Sequence, residues 1–158
     1  MKISPDERDV LVAEARALAG ELPPGEARDT FAEIAATAGA GTGEIPDELD
    51  GRVGQMLELS LGSGRARAEH GPEGVRAMTA IWRRTPSGAS ADRDARDLNT
   101  ALSVLSGRPV EFVRVTPTGP GTSTVVISAG RQTVRLAADA AGIRLRSIDV
   151  GATDGGGE

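Results

Sequence analysis

The run Val110-Glu111-Phe112-Val113-Arg114-Val115-Thr116 decides the fold class. Before Pro109 the apolar residues recur at helical spacing. From Val110 onward they recur at every second position, the period of a half-buried strand. Residues 122–129, 132–138 and 143–150 repeat the pattern and are rich in Val, Ile, Thr and Arg. Gly119-Pro120-Gly121, Ala129-Gly130-Arg131 and Asp139-Ala140-Ala141-Gly142 separate them, and all three are turn chemistry. Connections this short join only antiparallel neighbours, so residues 110–150 are expected to form a four-stranded antiparallel meander. Its apolar parity holds Val113, Val115, Val125, Ile127, Val134 and Leu136. In the last strand the phase slips, with Ile143 and Leu145 on one parity and Ile148 and Val150 on the other. A bulge near Ser147 would return both pairs to the core face.

Upstream, residues 1–109 read as about five helices. Ser4-Pro5-Asp6-Glu7 is a capping box with proline in the first turn, and Leu11, Ala15, Leu18 and Leu22 follow on one face. A second helix is expected over residues 24–38, with Ala27, Phe31, Ile34 and Ala38 in register. A third starts near Pro46 and presents Leu49, Val53, Met56, Leu57 and Leu61. Gly62-Ser63-Gly64 interrupts it, leaving residues 65–70 as a frayed continuation. Gly71-Pro72 opens a fourth helix with Val75, Met78, Ile81 and Trp82, closed by Thr85-Pro86. After a linker at Ser87-Gly88-Ala89, the fifth runs over residues 90–106 with the stripe Ala91, Ala95, Leu98, Leu102 and Leu105. That stripe is expected to lie across the meander, giving one compact α+β domain: helical region 1–109, meander 110–150, and a disordered polar tail at 151–158.

Composition narrows the function classes. The chain has 158 residues, a net charge of −5 and three aromatic residues, Phe31, Trp82 and Phe112. An acidic chain with so few aromatics lacks both the basic footprint of a DNA-binding protein and the stacking platform of a single-strand binder. No apolar run reaches membrane-spanning length, and the charged N-terminal residues are unlike a signal peptide. Cysteine is absent, which removes disulfides, thiolate nucleophiles and thiolate metal sites, and fits a reducing cytoplasm. Seventeen arginines against one lysine, with abundant Ala and Gly, read as the coding bias of a GC-rich bacterial genome.

Catalytic constellations are not visible. His70 is the sole histidine, placed at a helix-to-turn boundary where an imidazolium suits the C-terminal dipole. Paired acids such as Asp47/Glu48/Asp50 fall in first helical turns, where the dipole explains them. Gly39-Ala40-Gly41-Thr42-Gly43 and Gly62-Ser63-Gly64-Arg65 follow helices and lack the Lys-Ser/Thr of a phosphate loop. No catalytic, cofactor-binding or metal-ligating residue is therefore assigned. Charge is unevenly spread: residues 1–50 carry twelve acids and four bases, residues 51–109 six acids and nine bases. Arg65, Arg67, Trp82, Arg83 and Arg84 form the candidate partner-binding group, because arginine with tryptophan is the composition of interface hot spots. The same arginines could instead neutralise the acidic first third within one chain.

The closing segment Asp139-Ala140-Ala141-Gly142-Ile143-Arg144-Leu145-Arg146-Ser147-Ile148, after helices and a meander, is similar in outline to the end of NTF2-like cone domains. That resemblance implies a small-molecule pocket or an enzyme site between the fifth helix and the sheet. The residues themselves point first to a non-enzymatic protein-interaction, scaffold or adaptor module of a bacterial cytoplasm. Its partner is expected to be another protein or a second copy, not nucleic acid or membrane.

Overall fold

The computed structural model describes residues 1–41, 43–139 and 142–150. The tail at 151–158 and the turn residues 140–141 lie outside them. Five helices precede a four-stranded antiparallel sheet of order β1-β2-β3-β4. The chain forms two compact units, Met1–Asp92 and the residues from Arg93 on, so the division falls inside the fifth helix and not at 109/110.

In the first unit, α1 (Pro5–Glu21) starts with the expected capping box: the Glu7 N–H donates to Ser4 Oγ, and the Ser4 N–H donates to the Glu7 carboxylate. α2 spans Glu26–Gly39 and α3 spans Asp47–Gly62. α4 (Arg65–Trp82) takes in the turn expected to fray and breaks at Gly71, whose φ of 64° only glycine adopts without strain. Pro72 follows the break, where its missing N–H costs little. Leu11, Ile34, Val53, Met56, Leu57, Met78 and Ile81 are fully buried together, each from an inward stripe of α1–α4.

α5 (Pro86–Leu102) starts four residues earlier than its apolar stripe suggests. Thr85 supplies the reason: its Oγ1 accepts the Gly88 N–H, which makes the expected linker the first capped turn. A Cβ at Gly88 would run into the Trp82 carbonyl and Arg83 Cα, so this chain reversal needs glycine. A 3₁₀ turn (Ser103–Leu105) ends the helix.

In the second unit, β1 (Val110–Gly119), β2 (Thr122–Ala129), β3 (Gln132–Asp139) and β4 (Gly142–Val150) form the meander. The C-terminal half of α5 packs beside it, and Leu98 lines a groove with Ile143 and Leu145. Opposite Arg135 and Leu136 the β4 partners jump from Ser147 to Leu145, so Arg146 bulges out. That bulge keeps Ile143, Leu145, Ile148 and Val150 on one face, as the phase slip requires. The stripe of the fifth helix is not deeply buried. Leu98, Leu102 and Leu105 are half-buried and Ala95 is exposed, whereas the deep core lies among α1–α4.

Candidate functional site

The arginine-rich group is dispersed. Arg65 extends from the start of α4 to α1, where its Nε donates to Glu14 Oε1 at 3.0 Å and its guanidinium meets Glu21 at 2.9 Å. Arg84 pairs with Glu7 at 2.8 Å. Trp82 packs half-buried against the helical core, and its Nε1–H donates to Glu58 at 3.1 Å. Arg67 and Arg83 are exposed. Three of the five candidates are thus turned to acids of their own chain, two of them to acids of the first third.

The centre of this arrangement was not visible as a site in the sequence. Glu14 is fully buried and accepts from Ser60 Oγ at 2.6 Å and from Arg65, with His70 Nε2 at 2.7 Å. Burial pushes its carboxyl up, but the Ser60 and His70 hydrogen bonds and the Arg65 charge outweigh that and leave it lowered. Its one sequence signal is position: Glu14 stands three after Leu11 and four before Leu18, on the apolar stripe of α1. His70 also borders a groove of about 630 Å³ with Asp6, Val10, Glu73, Gly74, Arg76 and Ala77. A carboxylate-held imidazole beside a groove is the start of acid–base machinery, but these lining residues include no hydroxyl or thiol nucleophile. Among the described residues no group of three or more His, Asp or Glu is placed to hold a metal ion, and no helix is long and apolar enough to cross a membrane.

The sheet carries the other unusual surface. Pairing places Val110, Val113 and Val115 of β1 on the same face as Val125 and Ile127, then Val134 and Leu136, then Leu145 and Ile148. The middle of this face is covered: Val134 and Leu136 are buried, Val125 and Ile127 half-buried. Its β1 margin is open, with Val113 59% and Val115 61% exposed. Val110, Ile143, Leu145 and Val150 are exposed as well. On the opposite face Phe112 is exposed under the Arg114 guanidinium, 5.6 Å from the ring centroid. Val126 and Ala137 share that face with polar residues, and Arg135 is bonded to Asp149 and Arg144 to Asp139 near β4.

No family model, no curated protein and no solved structure matches this chain.

Proposed function

We propose that this chain is a non-enzymatic protein-interaction module of a bacterial cytoplasm, and that its docking surface is the open β1 side of the meander. One observation carries the reading. Two β-branched residues of the apolar parity, Val113 and Val115, keep more than half their surface in water on a face whose centre is buried. Each such side chain forgoes part of the roughly 1.5–3 kcal/mol that full burial is worth, and contiguous apolar exposure on an otherwise charged protein marks an interaction site. The groove beside α5, where the NTF2-like resemblance would put a ligand, measures about 230 Å³. Ligand pockets commonly take about 300–1,000 Å³, which favours the protein partner over the small molecule.

A photo-crosslinking amino acid at position 115 tests this in the native cell. Discrete protein adducts are expected there, and none from the same group at Glu73, on the exposed surface of α4. Equal labelling at both positions, or none at 115, would refute the reading.

A further inference from the structure

The pairing register settles which backbone groups β1 leaves unused. Ala129 and Gln132 flank a two-residue turn at Gly130-Arg131, where Gly130 has φ 61°, so this pair exchanges both of its hydrogen bonds. Antiparallel ladders alternate, so Ile127 and Val125 also bond to β3, while Ser128, Val126 and Thr124 turn to β1. Their partners Phe112, Arg114 and Thr116 therefore bond inward. Val113, Val115 and Pro117 direct their backbone to the outer edge. Pro117 has no N–H to give, and an outward-facing edge position is where a strand tolerates proline.

The two sheet edges differ. At β4 a bulge at Arg146 interrupts the line and Arg144 lies two residues before it; a bulge and edge charges are both familiar defences against edge pairing. At β1 the bulge lies at Glu111 and the proline at 117, so Phe112 to Thr116 is a clear run between them.

Resting on the docking reading above, we propose that the occupant of this edge is a second copy of the chain. The two β1 strands pair antiparallel about a two-fold axis at Val113, which joins two four-stranded sheets into one of eight. A two-fold normal to the sheet sets one residue opposite its own copy, so few registers are available. With the axis at Val113, the two Val113 residues exchange hydrogen bonds, and each Phe112 faces the partner's Arg114. The guanidinium that covers the Phe112 ring in one chain then lies between two aromatic rings. An axis at Arg114 would set like charges opposite each other. An axis at Val115 would put Val113 opposite the partner's Pro117, which cannot donate. The Val113 register also sets the two Val113 side chains opposite each other on the open apolar face, with each Val115 opposite the partner's Glu111.

Sedimentation velocity over a wide concentration range, with far-UV circular dichroism as the folding control, tests the proposal. The wild-type chain is expected to move from one-chain to two-chain mass as concentration rises. Val113→Pro removes an N–H that only the dimer uses, and Val115→Lys places a charge on the docking face. Each should hold the chain at one-chain mass with the circular dichroism spectrum retained. Because wild-type cysteine is absent, Val113→Cys supplies a clean register test: oxidation should link two chains, and Val150→Cys on the far edge should not. A wild-type chain that stays single at every concentration overturns the self-pairing. Adducts of a different protein from position 115 would then leave the docking reading standing, while slow hydrogen exchange at Val113 and Val115 in that single chain would remove both. Dimers that persist in both folded variants also overturn the proposal, since they must form elsewhere.

Discussion

His70 Nε2 stands 2.7 Å from the fully buried Glu14 carboxylate, joining α4 to α1 just before the break at Gly71. Ser60 and Arg65 complete the ring, so one acid from the middle of an apolar stripe ties three helices together. Removing the carboxylate leaves Ser60 Oγ and His70 Nε2 without this partner and Arg65 with Glu21 alone. Glu14→Ala should cost about 1–3 kcal/mol, tempered because Arg65 and His70 can turn to water. A loss within 0.3 kcal/mol of zero by urea denaturation, roughly the scatter between independent sites, would show that the network adds nothing.

Acid should dissolve this arrangement. Glu14 titrates below its ordinary 4.5 for the reasons given above. Glu7 does as well: burial raises it, but the Ser4 backbone N–H and Arg84 outweigh that. A carboxyl with a depressed folded pKa contributes stability that is present above its unfolded value and lost as pH falls through the folded one. Unfolding free energy should therefore change little on this account between neutral pH and 4.5 and decline below it. Glu14→Gln should flatten part of that decline. An identical acid slope in wild type and Glu14→Gln would remove Glu14 from the explanation.

Gly74 is the spatial partner of the same histidine. A Cβ at this position would collide with His70 Cβ, because the turn at Gly71 folds the two residues together. Gly74→Ala should destabilise by about 1–3 kcal/mol, the usual cost of overpacking. His70→Gly removes the opposing Cβ, so in that background Gly74→Ala should be milder by about 1 kcal/mol, a coupling expected of touching residues. Simple additivity in the double-mutant cycle would contradict the collision.

The helices and strands were largely legible because each has local signals: the Ser4 capping box, the stripes of α1–α4, the change of period at Val110. The depth of burial of each stripe was not. The Leu98, Leu102 and Leu105 stripe is as regular as any in the chain, yet periodicity states which side is apolar and not how deeply it is buried. Depth is decided by how many other elements arrive, and four helices converge around Leu57. Leu57→Ala should therefore cost about 2–5 kcal/mol, as for a fully buried leucine. Leu102→Ala, at a half-buried site, should cost less than half as much. Equal losses in the two variants would restore α5 to the centre of the packing.

The arginines permit a ranking that separates internal pairing from an outward-facing role. Arg65 touches a fully buried acid and a second, exposed one; Arg84 meets Glu7 near the surface; Arg83 is exposed. Exposed pairs are worth about 0–1 kcal/mol and are screened by salt, whereas pairs with a buried group are screened much less. Arg65→Ala should be the most destabilising, and its cost should persist in about 1 M NaCl, where the Debye length is near 3 Å. Arg84→Ala should cost a few tenths of a kcal/mol at low salt and nothing measurable at high salt. The Arg83→Ala/Arg84→Ala double variant should melt within about 3 °C of wild type, a shift worth roughly 1 kcal/mol at this chain length. It should also leave the rate of the proposed β1 association unchanged, since Arg84 is engaged within its own chain. A rate at low ionic strength that falls severalfold in this variant would return these arginines to the interface, because rim charges act chiefly on association.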